Sequence, residues 1–246
     1  MSNSYLRMLS AERLKLSGSR LWLLAAASPA VAVPIGLTSS TPEGGKPDWS
    51  TLLSSMSLLH ALLFLPVLSG LYAAVLCRHE HADGGWKALL ALPVPRSSVY
   101  LGKFTMAALL LAATQVLFAA AEVLTGKGMG LEAPIPWSIL LGSAAAGWLA
   151  CLPLAALQLA VSQAWSSFAA PLALTVSLTL PGILIVSSAA YAPYYPWVQP
   201  ALAMLPHGGA AYRALNLPLQ SLLAVVPGSL VLFLAAGLLL FRRKAV

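Results

Sequence analysis

Apolar residues fall into six long runs, at about 21–38, 51–77, 98–125, 136–161, 168–187 and 219–241. Short polar stretches part them. Inside lipid every backbone N–H and C=O must be paired within its own element, so such runs are helices or barrel strands. Each is far longer than the roughly 10 residues of a barrel strand. The pattern predicts an all-α, polytopic membrane protein with six transmembrane helices.

Three further segments break the simple alternation of span and loop. In residues 3–19, Tyr5, Leu6, Met8, Leu9 and Leu16 share one face at 100° per residue, while Arg7 and Lys15 lie off it. Glu12 falls near that apolar face and Leu14 opposite it, which spoils the pattern. The expectation is an N-terminal amphipathic helix lying along the inner leaflet. Residues 188–217 are too apolar for a plain loop and too broken by Pro193, Pro196, Pro200 and Pro206 for a span. Short helices at the outer face, dipping inward, are expected there. Tyr191, Tyr194, Tyr195 and Trp197 suit an aromatic belt.

The third segment is the longest polar interruption, Arg78 to Lys103. Trp86, Leu89, Leu90 and Leu92 supply apolar anchors at helical spacing, and Glu80, Asp83 and Lys87 are polar. Asp83 and Lys87 form an i, i+4 pair. Gly84 and Gly85 predict a bend, and Pro93 and Pro95 a stop. The reading is a short amphipathic helix held between two spans. His79, Glu80, His81 and Asp83 are all possible metal ligands. However, i, i+2 neighbours on a helix point apart, so no metal site is expected.

Charge orients the helices. The chain carries 14 Lys and Arg against 7 Asp and Glu. Arg7, Arg13, Lys15 and Arg20 precede the first span, and Arg78, Lys87, Arg96 and Lys103 belong to the polar stretch after the second. Arg242, Arg243 and Lys244 follow the sixth. Lys46, Lys127 and Arg213 alone fall on the other side. By the positive-inside rule both termini and the 78–97 loop are cytoplasmic, and an even number of spans agrees. The domain reading is one transmembrane unit, 1–246. It comprises the leading helix 1–20, two spans 21–77, the loop 78–97, three spans 98–187, the outer segment 188–217, and the last span with its tail, 218–246.

Composition narrows function. The chain is 59% hydrophobic and 9% charged, against about 25% charged in a soluble domain. Its basicity serves orientation, not nucleic-acid binding. Cys77 and Cys151 match no metal spacing and are read as small buried hydrophobes. A cleavable signal peptide is not expected, because a span continues past the first charged segment. The Gly-Lys pairs at 45–46, 102–103 and 126–127 are followed by Pro, Phe and Gly, so none is a phosphate-cradling loop. The chain is therefore not expected to be an enzyme. Any ATP and Mg would be bound by a separate chain, with no cofactor in this one. Gly142, Ala146 and Gly147 mark a helix contact. The SQAWSS turn after the fourth span is a second, smaller cytoplasmic contact candidate. His60 and Glu122 lie inside or at the edge of spans and are candidate pathway residues. The plain alternatives are packing for His60, and an interfacial carboxylate paired with Lys127 for Glu122.

The run EHADGGWKALLALPVPRSSVYLGK resembles the first cytoplasmic loop of type-2 ATP-binding-cassette (ABC) transporter permeases, notably the lantibiotic-immunity and bacitracin-resistance branch. Glu80, Gly85, Trp86, Lys87, Leu89, Leu90, Pro93, Arg96 and Lys103 carry the likeness. AERLKLSGSRLW, with Glu12, Lys15 and Ser19, and YYPWVQP are similar to the family's leading segment and to the segment before its last span. Pro95 departs from the usual Ser, and glycine before Trp86 suggests a looser hinge. The resemblance implies an elbow helix, six spans, a coupling helix in the 78–97 loop and re-entrant helices before the last span. It implies ATPase subunits and a second permease copy or relative as partners, beside membrane lipids. It also implies residence in a bacterial plasma membrane and export of peptides, lipids, glycans or drugs. Lantibiotic or peptide-antibiotic self-protection leads among the functions. The alternatives are another lipid, glycan or drug, or a non-transporting sensor or assembly subunit. On this reading Glu80, Asp83, Gly85, Trp86, Lys87, Leu89, Leu90, Pro93 and Arg96 couple to the ATPase. His60, Glu122, Tyr194, Tyr195 and Trp197 line the pathway or its outer gate.

Overall fold

The computed structural model describes residues 2–17, 21–39, 48–82, 84–205 and 219–243. The described elements are all helical. They are α1 (Ser2–Ser17), α2 (Leu21–Leu37), α3 (Trp49–Leu59), a π-turn (His60–Phe64), α4 (Leu65–His81), α5 (Gly85–Leu90), α6 (Arg96–Gly128), α7 (Trp137–Ala164), α8 (Ala169–Ile185), α9 (Gln199–Met204) and α10 (Leu219–Arg242). Two 3₁₀ turns, Ala192–Tyr194 and Pro196–Val198, precede α9.

Each apolar run has become a helix. Four are long and apolar enough to cross a membrane: Trp49–His81, Arg96–Gly128, Trp137–Ala164 and Leu223–Arg242. The first two contain 33 residues each, about 50 Å at 1.5 Å per residue. Leu21–Leu37 and Ala169–Ile185 have 17 residues, about 26 Å. That is short of the roughly 30 Å hydrocarbon layer.

The core lies where α3, α4, α6 and α7 meet. Leu52, Met56, Leu65, Tyr72, Leu110, Leu111, Phe118 and Ala155 are buried there. Apolar packing alone does not hold helices together in lipid, so small residues that admit close approach matter. Gly147 of α7 is one. A Cβ there would stand 2.5 Å from Gln115 Nε2 of α6 and from Met204 of α9. Gly142 faces open space, so the predicted small-residue contact is made by Gly147 and not by Gly142.

The helix of Trp49–His81 is continuous but carries one π-turn at its centre, at His60–Phe64. A π-turn adds a residue to one helical turn and re-aims what lies on either side. Its N-terminus is well defined. Asp48 accepts the Thr51 N–H at 2.8 Å as N-cap, and those bonds hold its carboxyl below the usual range.

In its described part, residues 188–205, the segment before α10 packs into the bundle. Gln199 is buried, and its amide donates to the carbonyls of Ala192, Pro193 and Tyr195 at 3.2, 2.8 and 3.3 Å. α9 packs on α7. Tyr191 and Tyr194 are exposed, but Trp197 is buried. Trp197 therefore belongs to the packed interior and not to an aromatic belt. Residues 206–217 of that segment lie outside the described residues.

Candidate functional site: a charge clamp beneath a short helix

The polar stretch divides into two helices, not one. α4 runs on to His81, the chain turns, and α5 spans six residues, Gly85–Leu90. Gly84 holds the turn at φ 72°, a left-handed conformation that favours glycine. Gly85 is needed for a different reason. A Cβ there would lie 2.9 Å from Glu80 Cα and from His79 O. The pair is thus a tight elbow pressed onto the end of α4. That overturns the looser hinge expected from glycine at this place. Asp83, and with it the Asp83–Lys87 pair, lies outside the described residues.

Trp86 is the anchor of α5. It is buried against Phe241 of α10, ring centroids 5.4 Å apart and edge-on. Met8, Cys77, Val99 and Tyr100 belong to the same cluster. Its indole N–H donates to His81 Nδ1 at 3.3 Å. The Nε2 of His81 lies 2.7 Å from the Ser162 carbonyl. A carbonyl only accepts, so Nε2 carries the proton and Nδ1 is free to accept from Trp86. Leu89 and Leu90 are half-buried against that cluster, while Lys87, Leu92 and Pro93 are exposed. Arg96 has a different role from its neighbours. Its guanidinium donates to the Arg242 carbonyl at 2.8 Å, tying the start of α6 to the end of α10.

Below Trp86 lies the feature that the run of apolar residues conceals. Lys103, 0% exposed, meets Glu12, 1% exposed, and Glu80, 3% exposed. Its ammonium has three N–H groups and three acceptors. These are Glu12 at 3.1 Å, Glu80 at 2.8 Å and the Leu76 carbonyl at 2.6 Å. Lys15 closes the set at 2.7 Å from Glu80 and 3.2 Å from Glu12. Burial pushes the Lys15 ammonium down, but its hydrogen bond to Glu80 and the two carboxylate fields outweigh that and raise it above the usual lysine range. Two ammonium groups thus face two carboxylates. The Lys103 Nζ also stands 5.9 Å from the centre of the Trp86 ring. One neutral cluster therefore joins α1, the end of α4, the start of α6 and the seat of α5.

A second polar group occupies the middle of the bundle. His60, at the start of the π-turn, is buried and stacks on Phe118 with 3.7 Å between ring centroids. Its Nδ1 lies 2.5 Å from Ser28 Oγ and its Nε2 3.0 Å from Gln115 Oε1. An amide oxygen accepts, so Nε2–H donates to Gln115 and Nδ1 accepts from Ser28. The Gln115 amide then reaches Met204 Sδ at 3.4 Å. His60 is thereby linked to α2, α6 and α9. Two turns along α6, Glu122 is also buried and accepts from Ser57 Oγ at 3.1 Å. Lys127 is exposed, so the expected interfacial Glu122–Lys127 pair is not what this carboxylate makes. Of the other gate candidates, Tyr195 donates to the Leu178 carbonyl at 2.5 Å. Neither it nor Tyr194 meets His60 or Glu122.

Beside this group, α6 and α7 enclose an apolar groove of about 630 Å³. Val116, Ala120, Leu124, Trp137, Leu141 and Trp148 line it, and Gln115 is its one amide.

Glu12, Lys15 and Lys103 were not among the site residues expected from sequence, nor were Ser28, Ser57 and Gln115. Two had visible signals: Glu12 sits near an apolar helical face, and Lys103 lies inside the third apolar run.

The described helices are thus long and apolar, with a neutralised charge cluster at one end and a short helix packed across it. A family model described as ABC-2 family transporter protein matches residues 8–182, most of the chain and every helix from α2 to α7 in full. The chain belongs to that family, and so is the transmembrane part of an ABC transporter. No curated protein matches it.

Proposed function

We propose that this chain is the permease subunit of an ATP-driven exporter and that α5 is its coupling helix. The observation that carries the reading is the charge clamp under Trp86. A helix that is to pass force must be fixed to what it moves. α5 is fixed through Trp86 to α4, α6 and α10, and the clamp binds those helices to α1. The exposed Lys87 and Pro93 side is left for a soluble partner. On this reading α1 is the elbow helix, α2 and α8 complete six spans, and both termini and α5 face the cytoplasm of a bacterial cell. The chain forms one permease unit throughout, and two such permeases, identical or related, work with two ATPase chains that hold the ATP and Mg.

ATP-driven closure of the partners would tilt α5, α4 and α6 as one body and alter the space between the two permeases. His60, Gln115 and Glu122 lie on the helices so moved. The amide-floored groove of α6 and α7 suits a substrate with an extended apolar part. A lantibiotic or another peptide antibiotic is the leading candidate, in self-immunity or resistance.

The test is to co-purify the chain with an ABC ATPase and measure turnover in liposomes, with Glu80→Ala and Gly85→Pro as variants. Turnover that rises in the complex, and uncoupled turnover in the folded, membrane-inserted fraction of both variants, is the expected result. Full coupling in both variants rejects the role of α5. A stable lone chain that no ATPase binds favours a sensor or assembly subunit instead. Resistance assays with lantibiotics, lipids and unrelated drugs then separate the substrate classes.

A further inference from the structure

The groove between α6 and α7 occupies one half of each helix. On α6 it runs from Ala112, at the midpoint of Arg96–Gly128, to Leu124. On α7 it runs from Trp137, the first residue, to Trp148. Those stretches are about 18 and 17 Å long at 1.5 Å per residue. One leaflet is half of the roughly 30 Å hydrocarbon layer, so the groove is about as long as one leaflet is deep. Small side chains, Ala119 and Ala120 on α6 and Ala144 and Ala145 on α7, leave the room. Val116, Leu124 and Leu141 border it and are exposed.

The two ends differ. At the middle of the bundle, Trp148 donates its indole N–H to the Ala108 carbonyl at 2.8 Å and ties α7 to α6. At the other end both helices stop and charge appears. Lys127 follows Ala120, Val123 and Leu124 at i+7, i+4 and i+3, which sets it on the groove side of α6, one turn past the last lining residue. It is exposed, and among the described residues no other Lys or Arg lies at this end. Glu132, in the connection to α7, is exposed too. Neither forms an ion pair among the described residues. Trp137 stands at the mouth, 54% exposed, where an aromatic ring suits the boundary between hydrocarbon and headgroups.

Length and charge select the occupant. A membrane-spanning helix of a partner presents about 30 Å of apolar surface, roughly twice what the groove offers. An acyl chain has the depth of one leaflet. It is held in place if its headgroup finds partners at the mouth, where a phosphate meets Lys127 and an ammonium meets Glu132. A headgroup with net negative charge would instead face Glu132 as a like charge. We infer that the α6–α7 groove binds a zwitterionic glycerophospholipid. One acyl chain lies along the groove from Trp137 to Trp148, with the phosphate at Lys127 and the headgroup ammonium at Glu132. The end of that chain rests beside Gln115, which joins His60 to Met204. The site does not depend on the transport reading, and the apolar part of a substrate enters it only by displacing the lipid chain.

The experiment uses the full chain alone, stripped of lipid in detergent and titrated with phosphatidylethanolamine, phosphatidylglycerol or diacylglycerol of the same chains. Bound lipid is read by native mass spectrometry. Phosphatidylethanolamine should be retained above both others. Lys127→Gln should lower its retention about tenfold, and Glu132→Gln should remove its advantage over phosphatidylglycerol. Ala120→Trp, which fills the groove, should abolish retention. Val231→Trp, on an exposed face of α10 away from the groove, should change nothing. Thermal unfolding shows that each variant is folded. Equal retention of phosphatidylethanolamine and diacylglycerol, or unchanged retention in folded Ala120→Trp, overturns the site. Phosphatidylglycerol retained as well as or better than phosphatidylethanolamine overturns the headgroup assignment. A lipid-free dimer of the chain that Ala120→Trp breaks gives the groove to a second copy and also overturns it.

Discussion

Lys103 is surrounded by acceptors, so its removal strands two buried carboxylates with only Lys15 between them. Breaking one side of a buried ion cluster costs about 3–5 kcal/mol, mainly from the charge left behind. Lys103→Met should therefore lower the thermal midpoint of the purified protein sharply. The double variant Lys103→Met/Glu12→Gln should lose less than the sum of its parts, because it removes one stranded charge as well. Additive losses would show that the two residues are not coupled. pH gives a second reading of the same cluster. The Lys15 ammonium is raised above its ordinary 10.5, so its contribution is complete below that pH and is lost as pH rises through the higher folded value. Titration of thermal stability in wild type and Lys15→Met should give curves that run parallel to about pH 10 and converge above it. Gln115→Leu is the matching test in the bundle's middle. It leaves the His60 N–H unpaired and should cost about 1–3 kcal/mol by denaturation in detergent.

These residues also show what a sequence read by periodicity conveys. Trp86 as anchor, and Lys87 on an exposed side, follow from spacing alone. The role of Lys103 does not. A lysine near the start of an apolar run reads as an orienting charge. Its partners, Glu12 and Glu80, stand 91 and 23 positions away in the chain, and only the packing of α1 against α6 brings all three together. The same holds for His60, whose partners Ser28 and Gln115 sit on two other helices.

At the scale of elements, α5 is too short to be stable by itself, since isolated helices need about 12–15 residues. It persists because Trp86 is buried and because two glycines let the chain turn hard against α4. The two glycines should not respond alike. Gly84→Ala meets no neighbour and carries only the left-handed backbone penalty of about 1–2 kcal/mol. Gly85→Ala drives a methyl into the backbone of His79 and Glu80, so α5 must move. ATPase coupling in the complex should survive the first change and fall in the second. Six helical runs were legible because lipid forces them to be apolar. The π-turn was not, because nothing in HALLF departs from a good α-helical pattern. It begins at His60, the residue that bonds Ser28 and Gln115.

For the whole molecule, the number of helices that cross sets the topology. Four are long enough, and α2 and α8 are shorter than a standard span. In a background with Cys77 and Cys151 replaced by serine, single cysteines at Gly130, Ser188, Lys87 and Ser166 can be labelled with an impermeant maleimide. Six crossings put Gly130 and Ser188 on the outside and the other two inside. Labelling of Ser188 from the same side as Lys87 would mean that α8 enters and leaves by one face. Legibility at this scale was mixed. Loop charges predicted an orientation and prolines predicted short helices after the fifth run, whereas the burial of residues 197–202 against the bundle shows only in the packing.

The neutral clamp bears on how the protein is made as well as on how it works. Lys15 and Lys103 belong to the basic residues that would hold one side of the chain in the cytoplasm during insertion. In the finished fold their charges are cancelled by Glu12 and Glu80. Insertion reads Lys and Arg with little regard for nearby carboxylates, so on the expected orientation the same two lysines would serve twice in succession. Under the expected orientation they would first act as free cations among those that set which way the new helices face. Once α1 settles on α6 they become counter-ions in the clamp, so two of those eleven basic residues no longer present a free charge in the folded protein.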